Sequence, residues 1–121
     1  EVESVVRSHP AVAECAVVGV ADSLKGQVAV GFAVLKDPTV IAQSDARMRL
    51  EGELMSVVDK QLGAVARPSR VYFVSALPKT RSGKVLRRSI QAVCEGRDPG
   101  DLTTIEDPAT LEQVRQAMGG H

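Results

Sequence analysis

QVAVGFAVLK, residues 27–36, decides the fold. Side chains along an extended chain alternate between two faces. Val28, Val30, Phe32 and Val34 therefore share one face, and Ala29, Gly31, Ala33 and Leu35 share the other. Both sets are apolar, and a strand apolar on both faces is covered on both. This is an interior strand with a layer on each side of it.

The neighbouring elements follow outward. Upstream, AVAECAVVGVAD (11–22) reads as a second strand, joined through a polar turn, SLKG, centred on Lys25 and Gly26. Before it, Val2, Val5 and Val6 form the apolar stripe of a helix end. His9-Pro10 stops that helix, because the residue before Pro is pushed out of the helical region. Downstream, Asp37-Pro38 ends the central strand, and Ser44 is placed to cap a helix over 45–62. Leu50, Leu54, Met55, Val58 and Leu62 repeat at helical spacing up to Gly63, the usual kind of stop.

RVYFVSAL (70–77) predicts the third strand. Leu86, Ile90, Val93 and Cys94 mark another helix, with Arg87, Arg88 and Gln91 outward and Gly96 as its stop. RDPGDLTT (97–104) is linker-like, Asp107-Pro108 suits a cap and first turn, and Leu111, Val114 and Met118 continue a last helix. The class is α+β: a small three-stranded sheet, helices on both faces, and a short turn or hairpin opened by Pro78 and centred on Gly83.

Composition narrows what such a domain does. One domain is natural at 121 residues. With 2% aromatic residues, its core must be built from Val, Ala, Leu and Ile. A formal net charge of zero argues against binding nucleic acid or membrane through the overall field. No apolar run reaches the ~20 residues of a membrane span, and no targeting segment is legible. Cys15 and Cys94 make neither a disulfide framework nor a metal site; Cys15 falls in a strand and Cys94 on an apolar helix stripe, both as core thiols, and a reducing, cytoplasmic setting is expected. His9 reads as a helix-end residue. The chain opens on Glu1, already inside a helical pattern, as if cut from something longer.

Against this neutral background, LPKTRSGKVLRR (77–88) holds five of the 15 Lys and Arg residues. One reading is a solvated turn leading into an amphipathic helix. A phosphate-binding P-loop is excluded: it needs a Gly five residues before Gly83 and a Ser or Thr after Lys84, and Pro78 and Val85 stand there. Single-strand nucleic-acid binders interleave stacking aromatics with their cations; only Tyr72 and Phe73 are near. The remaining reading is an inserted lysine. Lys84 is a long point charge at the far end of a tight turn shaped by Pro78 and Gly83, free to enter a pocket supplied from outside this chain. Such a cation suits a reaction that builds negative charge on phosphate and carboxylate oxygens together.

Pro78-Lys79-Thr80-Arg81-Ser82-Gly83-Lys84 is similar to the Pro-x4-Gly-Lys signature of the acyl-adenylate-forming enzymes, the superfamily of acyl-CoA synthetases, peptide-synthetase adenylation domains and luciferases. Glu1-Val2-Glu3 resembles the end of that family's hinge-proximal segment. His9-Pro10-Ala11-Val12 with Ala16-Val17-Val18-Gly19 resembles its next block, and Lys25-Gly26-Gln27 its turn between strands. The resemblance runs over roughly residues 1–118. Arg87-Arg88, Gly96 and Ile105-Glu106-Asp107-Pro108 look most like the short-chain branch of acetyl- and propionyl-CoA synthetases, the propionate–CoA ligase kind the nearer.

The resemblance implies that residues 1–121 are a mobile C-terminal domain, with 97–121 as an extension and a large N-terminal domain outside this chain. It implies two steps: a carboxylate and ATP give an acyl-adenylate and pyrophosphate, then the CoA thiol displaces AMP. Lys84 would be the adenylation lysine, and Lys79, Thr80, Arg81 and Ser82 would contact substrate or the partner domain. ATP, Mg²⁺ and CoA are implied for the whole enzyme, at the interdomain cleft, and none for this piece alone. A lysine acyltransferase and deacylase are implied as regulators of Lys84. Lys60 falls where some relatives hold a basic residue for the CoA nucleotide, but Asp59 beside it breaks the pattern, so CoA contacts stay unassigned. The alternatives are a non-catalytic docking module of the same fold, or an adenylation domain that loads a carrier protein.

Overall fold

The computed structural model describes residues 2–22, 24, 26–100 and 102–119. Glu1 and Lys25, both named in the sequence comparison, lie outside them. Helix α1 (Val2–Arg7) leads into strand β1 (Val12–Asp22), which turns back as β2 (Gly26–Leu35). A 3₁₀ turn (Pro38–Ile41), helix α2 (Ser44–Leu62) and a second 3₁₀ turn (Ala64–Ala66) cross to β3 (Arg70–Phe73). Helices α3 (Arg87–Cys94) and α4 (Ala109–Gly119) complete the order. The sheet runs β1-β2-β3, with β1 antiparallel and β3 parallel to the central β2. A parallel pair needs a crossover, and α2 supplies it.

The two faces of β2 sort as their alternation requires. Val30, Phe32 and Val34, with Val28 beside them, pack into one core with Ile90 and Val93 of α3 and Leu111 and Val114 of α4. Ala33 and Leu35 join the other core with Val5 and Val6 of α1 and Leu50, Leu54 and Val58 of α2. Phe32 is fully buried and stacks on Tyr72 of β3, ring centroids 5.6 Å apart.

Several boundaries differ from the sequence reading, each for a local reason. The third strand stops at Phe73, not at 77. Ala33 of β2 already pairs with Phe73, so only two residues of β2 remain beyond it. Val74 N–H still reaches Ala33 O at 3.0 Å, but the Ser75 N–H is taken by the Gln113 side chain of α4 at 2.9 Å. Val74 and Leu77 stay buried although they are not strand. Helix α2 begins at Ser44 itself, with Gln43 as an N-cap that makes no side-chain bond. Asp107, by contrast, caps α4 as expected, its Oδ1 accepting the Ala109 N–H at 3.0 Å.

His9 closes α1 through its ring. Nδ1 accepts the Ala11 N–H at 3.1 Å, so Nε2 carries the proton and donates to Glu53 Oε1 of α2 at 3.0 Å. Cys15 is buried and its thiol is pushed up to about 12, chiefly by burial; Cys94 is pushed up to about 11 for the same reason. Both thiols stay protonated and unreactive near neutral pH.

Candidate functional site

Residues 78–86 form a hairpin with a three-residue turn. Leu86 N–H donates to Pro78 O at 2.9 Å, and Lys79 bridges Val85 in antiparallel register. At the tip, Thr80 N–H donates to Lys84 O and Gly83 N–H donates to Thr80 O, both at 2.9 Å. This pattern needs its last turn residue in the left-handed region, and Gly83 is there with φ +94°. Pro78 suits the base of the hairpin: it needs no donor, its ring is fully buried, and its carbonyl accepts the closing bond.

Side chains stiffen the turn further. Thr80 Oγ1 lies 2.9 Å from Ser82 Oγ and accepts the Lys84 N–H at 3.1 Å. Thr80 and Ser82 are therefore engaged with the hairpin itself.

The five cations of the cluster divide sharply. Lys79 is ion-paired to Glu14 of β1. Arg81 reaches the Thr103 carbonyl at 3.4 Å. Arg87 grips Glu3 with two nitrogens, one of them Nε at 2.8 Å from Oε2. Among the described residues, Lys84 and Arg88 make no side-chain hydrogen bond or ion pair. Lys84 is exposed, at the end of a turn whose backbone is tied down on both sides. Three of the five cations are thus internal struts, while Lys84 and Arg88 stay exposed.

Glu3 is the strut that ties chain entry to the lysine. Its carboxylate also accepts the Val17 N–H at 2.7 Å, so it joins α1, β1 and the start of α3, three residues past Lys84. Burial raises its pKa, but the Arg87 and Val17 bonds outweigh this and leave it below the ordinary carboxylate value. A depressed folded pKa adds stability that is present above the unfolded value and lost as pH falls through the folded one. Glu3→Gln is expected to cost about 1–2 kcal/mol at neutral pH, discounted for the half-exposed Arg87. Urea unfolding across a pH series checks this: the gap between parent and variant should close on acidification. A gap independent of pH would assign Glu3 to shape and not charge.

Glu3, Glu14 and the carbonyls at 103 and 104 were not legible as partners of the cluster, since each lies far from it in sequence. Two grooves lie elsewhere. Depressions of about 510 and about 740 Å³ flank β3, sharing Ile41, Phe73, Gln116 and Ala117, and Lys84 lines neither. Lys60 is exposed on the last turn of α2, and Asp59 beside it pairs with Arg67 at 3.1 Å.

Comparison with known proteins gives the family. The family model of the AMP-binding enzyme C-terminal domain matches residues 1–84, ending on the projecting lysine. The chain belongs to this family. As an AMP-binding enzyme C-terminal domain it is 60% identical to propionate–CoA ligase of Escherichia coli over 98% of its length, and 48% identical to acetyl-coenzyme A synthetase of Pyrobaculum aerophilum over 97%. It spans about a fifth of these relatives, 19% and 17% of their lengths. Among solved structures it is similar to an acyl-CoA synthetase of Brucella canis, with TM-score 0.60 and 43% identity, over 69% of this chain and 15% of that one. The α+β class and the mixed three-stranded sheet are those of this family.

Proposed function

We propose that this chain is the mobile C-terminal domain of a longer short-chain acyl-CoA synthetase, of the propionate–CoA ligase kind, and that Lys84 is its adenylation lysine. The observation that carries the reading is the exposed Lys84 ammonium, without a partner among the described residues, on a hairpin stiffened from its base to its tip. Delivered into a cleft of the N-terminal domain, it would lie against the acyl carboxylate and the α-phosphate of ATP. A carboxylate oxygen attacks the α-phosphorus, the bond to pyrophosphate breaks, and the cation stabilises the charge spread over both groups. Rotation of the domain then withdraws Lys84, and the CoA thiol, losing its proton, displaces AMP from the acyl carbon.

The tip offers the exposed Lys84 ammonium, a donor for anions. Among the described residues no cluster of His, Cys, Asp or Glu is arranged to hold a metal. The Mg²⁺ that such ligases use would accordingly travel with the ATP phosphates on the other domain. The same exposed ammonium is open to a lysine acyltransferase and deacylase, and acylation would remove the cation the first step needs. The relatives point the same way in substrate class: two are propionate–CoA ligases, and others are acetyl- and 3-hydroxypropionyl-coenzyme A synthetases.

The test is the complete polypeptide that carries this domain. It is expected to convert ATP, CoA and propionate into AMP, pyrophosphate and a thioester, with kcat/KM highest for acids of two or three carbons. Formation of ADP, acceptance of a carrier protein in place of CoA, or no ligase activity would overturn the reading.

A further inference from the structure

The family-matched residues end at Lys84, yet the lysine hairpin is not complete without a segment 20 residues further on. Its outer edge, Lys79 to Arg81, is paired. Glu106 N–H donates to Lys79 O at 2.9 Å, Arg81 N–H donates to Thr104 O at 3.2 Å, and Thr80 bridges Ile105 in antiparallel register. The strand that leads to Lys84 is thereby the middle of three, with Val85 on one side and Ile105 on the other. A two-stranded hairpin is marginal in water, and a third strand is what makes such a patch hold its shape.

The bracing segment is itself fixed. Ile105 is 3% exposed and sits in the core that Val85 and Leu86 pack against. Immediately after it, Asp107 caps α4, whose Leu111 and Val114 enter the same core. A stretch that reads as linker and extension is therefore bolted to the domain and laid along the lysine hairpin.

We propose that Thr104–Glu106 is a positioning strand that sets the angle at which the hairpin presents Lys84, so that the tail takes part in adenylation and not in thioester formation. This rests on Lys84 being the adenylation lysine. The experiment uses the full-length enzyme with Glu106→Pro, which deletes the N–H given to Lys79, and Glu106→Ala, which keeps it. Displacing a catalytic group by about 1 Å costs up to about 100-fold, so Glu106→Pro is expected to lower kcat of carboxylate-dependent ATP–pyrophosphate exchange by about 10- to 100-fold. KM for acid and ATP should hold, as should thioester formation from supplied acyl-adenylate. Glu106→Ala should keep the exchange rate. In a Lys84→Ala background the Pro substitution should cost nothing further.

Unchanged exchange in Glu106→Pro, equal loss of both half-reactions, or a loss that adds fully to that of Lys84→Ala would overturn the positioning role. If Lys84→Ala itself leaves exchange intact, the assignment of Lys84 falls and this inference with it. If Lys84→Ala silences exchange and Glu106→Pro does not, the tail alone is ruled out. Should the Pro variant fold poorly, amide hydrogen exchange on the unmodified enzyme decides. The Arg81 and Glu106 amides should be protected together, and exchange at the rate of unpaired amides would overturn the inference.

Discussion

In the complete polypeptide, Lys84→Ala is expected to slow acyl-adenylate formation by about 100-fold or more, roughly 3 kcal/mol of barrier, the size of one preorganised contact to developing charge. Thioester formation from preformed acyl-adenylate should be nearly untouched. The asymmetry follows from geometry: the ammonium projects from a hairpin with no partner among the described residues, so its removal leaves no orphaned charge among them. Lys84→Arg should not rescue, because a planar guanidinium cannot act as the compact point charge that a shared carboxylate–phosphate site favours. Lys84→Gln, one bond shorter than Lys but neutral as an acylated lysine is, should behave as Ala. Pyrophosphate exchange and single-turnover thioester assays, run side by side, check all three. Equal loss in both half-reactions, or in neither, would sink the assignment.

Phe32→Ala is the corresponding test of the fold. Phe32 is the largest fully buried side chain, at the middle of the central strand, and its ring stacks on Tyr72. Truncating a buried Phe costs about 3–5 kcal/mol, through lost transfer energy and the cavity left behind. Domains of this size hold only about 5–15 kcal/mol in total, so the variant should be largely unfolded at moderate urea. Val65→Ala, at a fully exposed position, should stay within about 0.5 kcal/mol of the parent in the same urea titration. A loss below about 1 kcal/mol for Phe32→Ala would mean that this face of β2 is not the wall of a core.

What could be read from the residues was what depends on near neighbours. Alternation along 27–36 assigned Val30 and Phe32 to one core and Ala33 and Leu35 to the other, and both assignments hold. Pro78, Gly83 and Lys84 were legible as turn and projection because turn chemistry is local: a buried ring without a donor, a left-handed glycine, an exposed cation. Strand length was less legible. Val74 and Leu77 look like a continuing strand by pattern, but β2 has only two residues left to pair beyond Ala33.

The sequence by itself determined the class of the fold, the two-faced central strand and the tight turn, shaped by Pro78 and Gly83, that carries Lys84. Each of these follows from residue type and spacing within a dozen positions. Only the tertiary structure decided which of the cluster's cations are free. Glu14 claims Lys79, Glu3 claims Arg87 and the carbonyl of Thr103 claims Arg81, over sequence separations from 22 to 84 residues. It likewise decided that Ile105 lies along the hairpin. Ion pairs and edge bridges depend on where the chain returns in space, and periodicity carries no record of that.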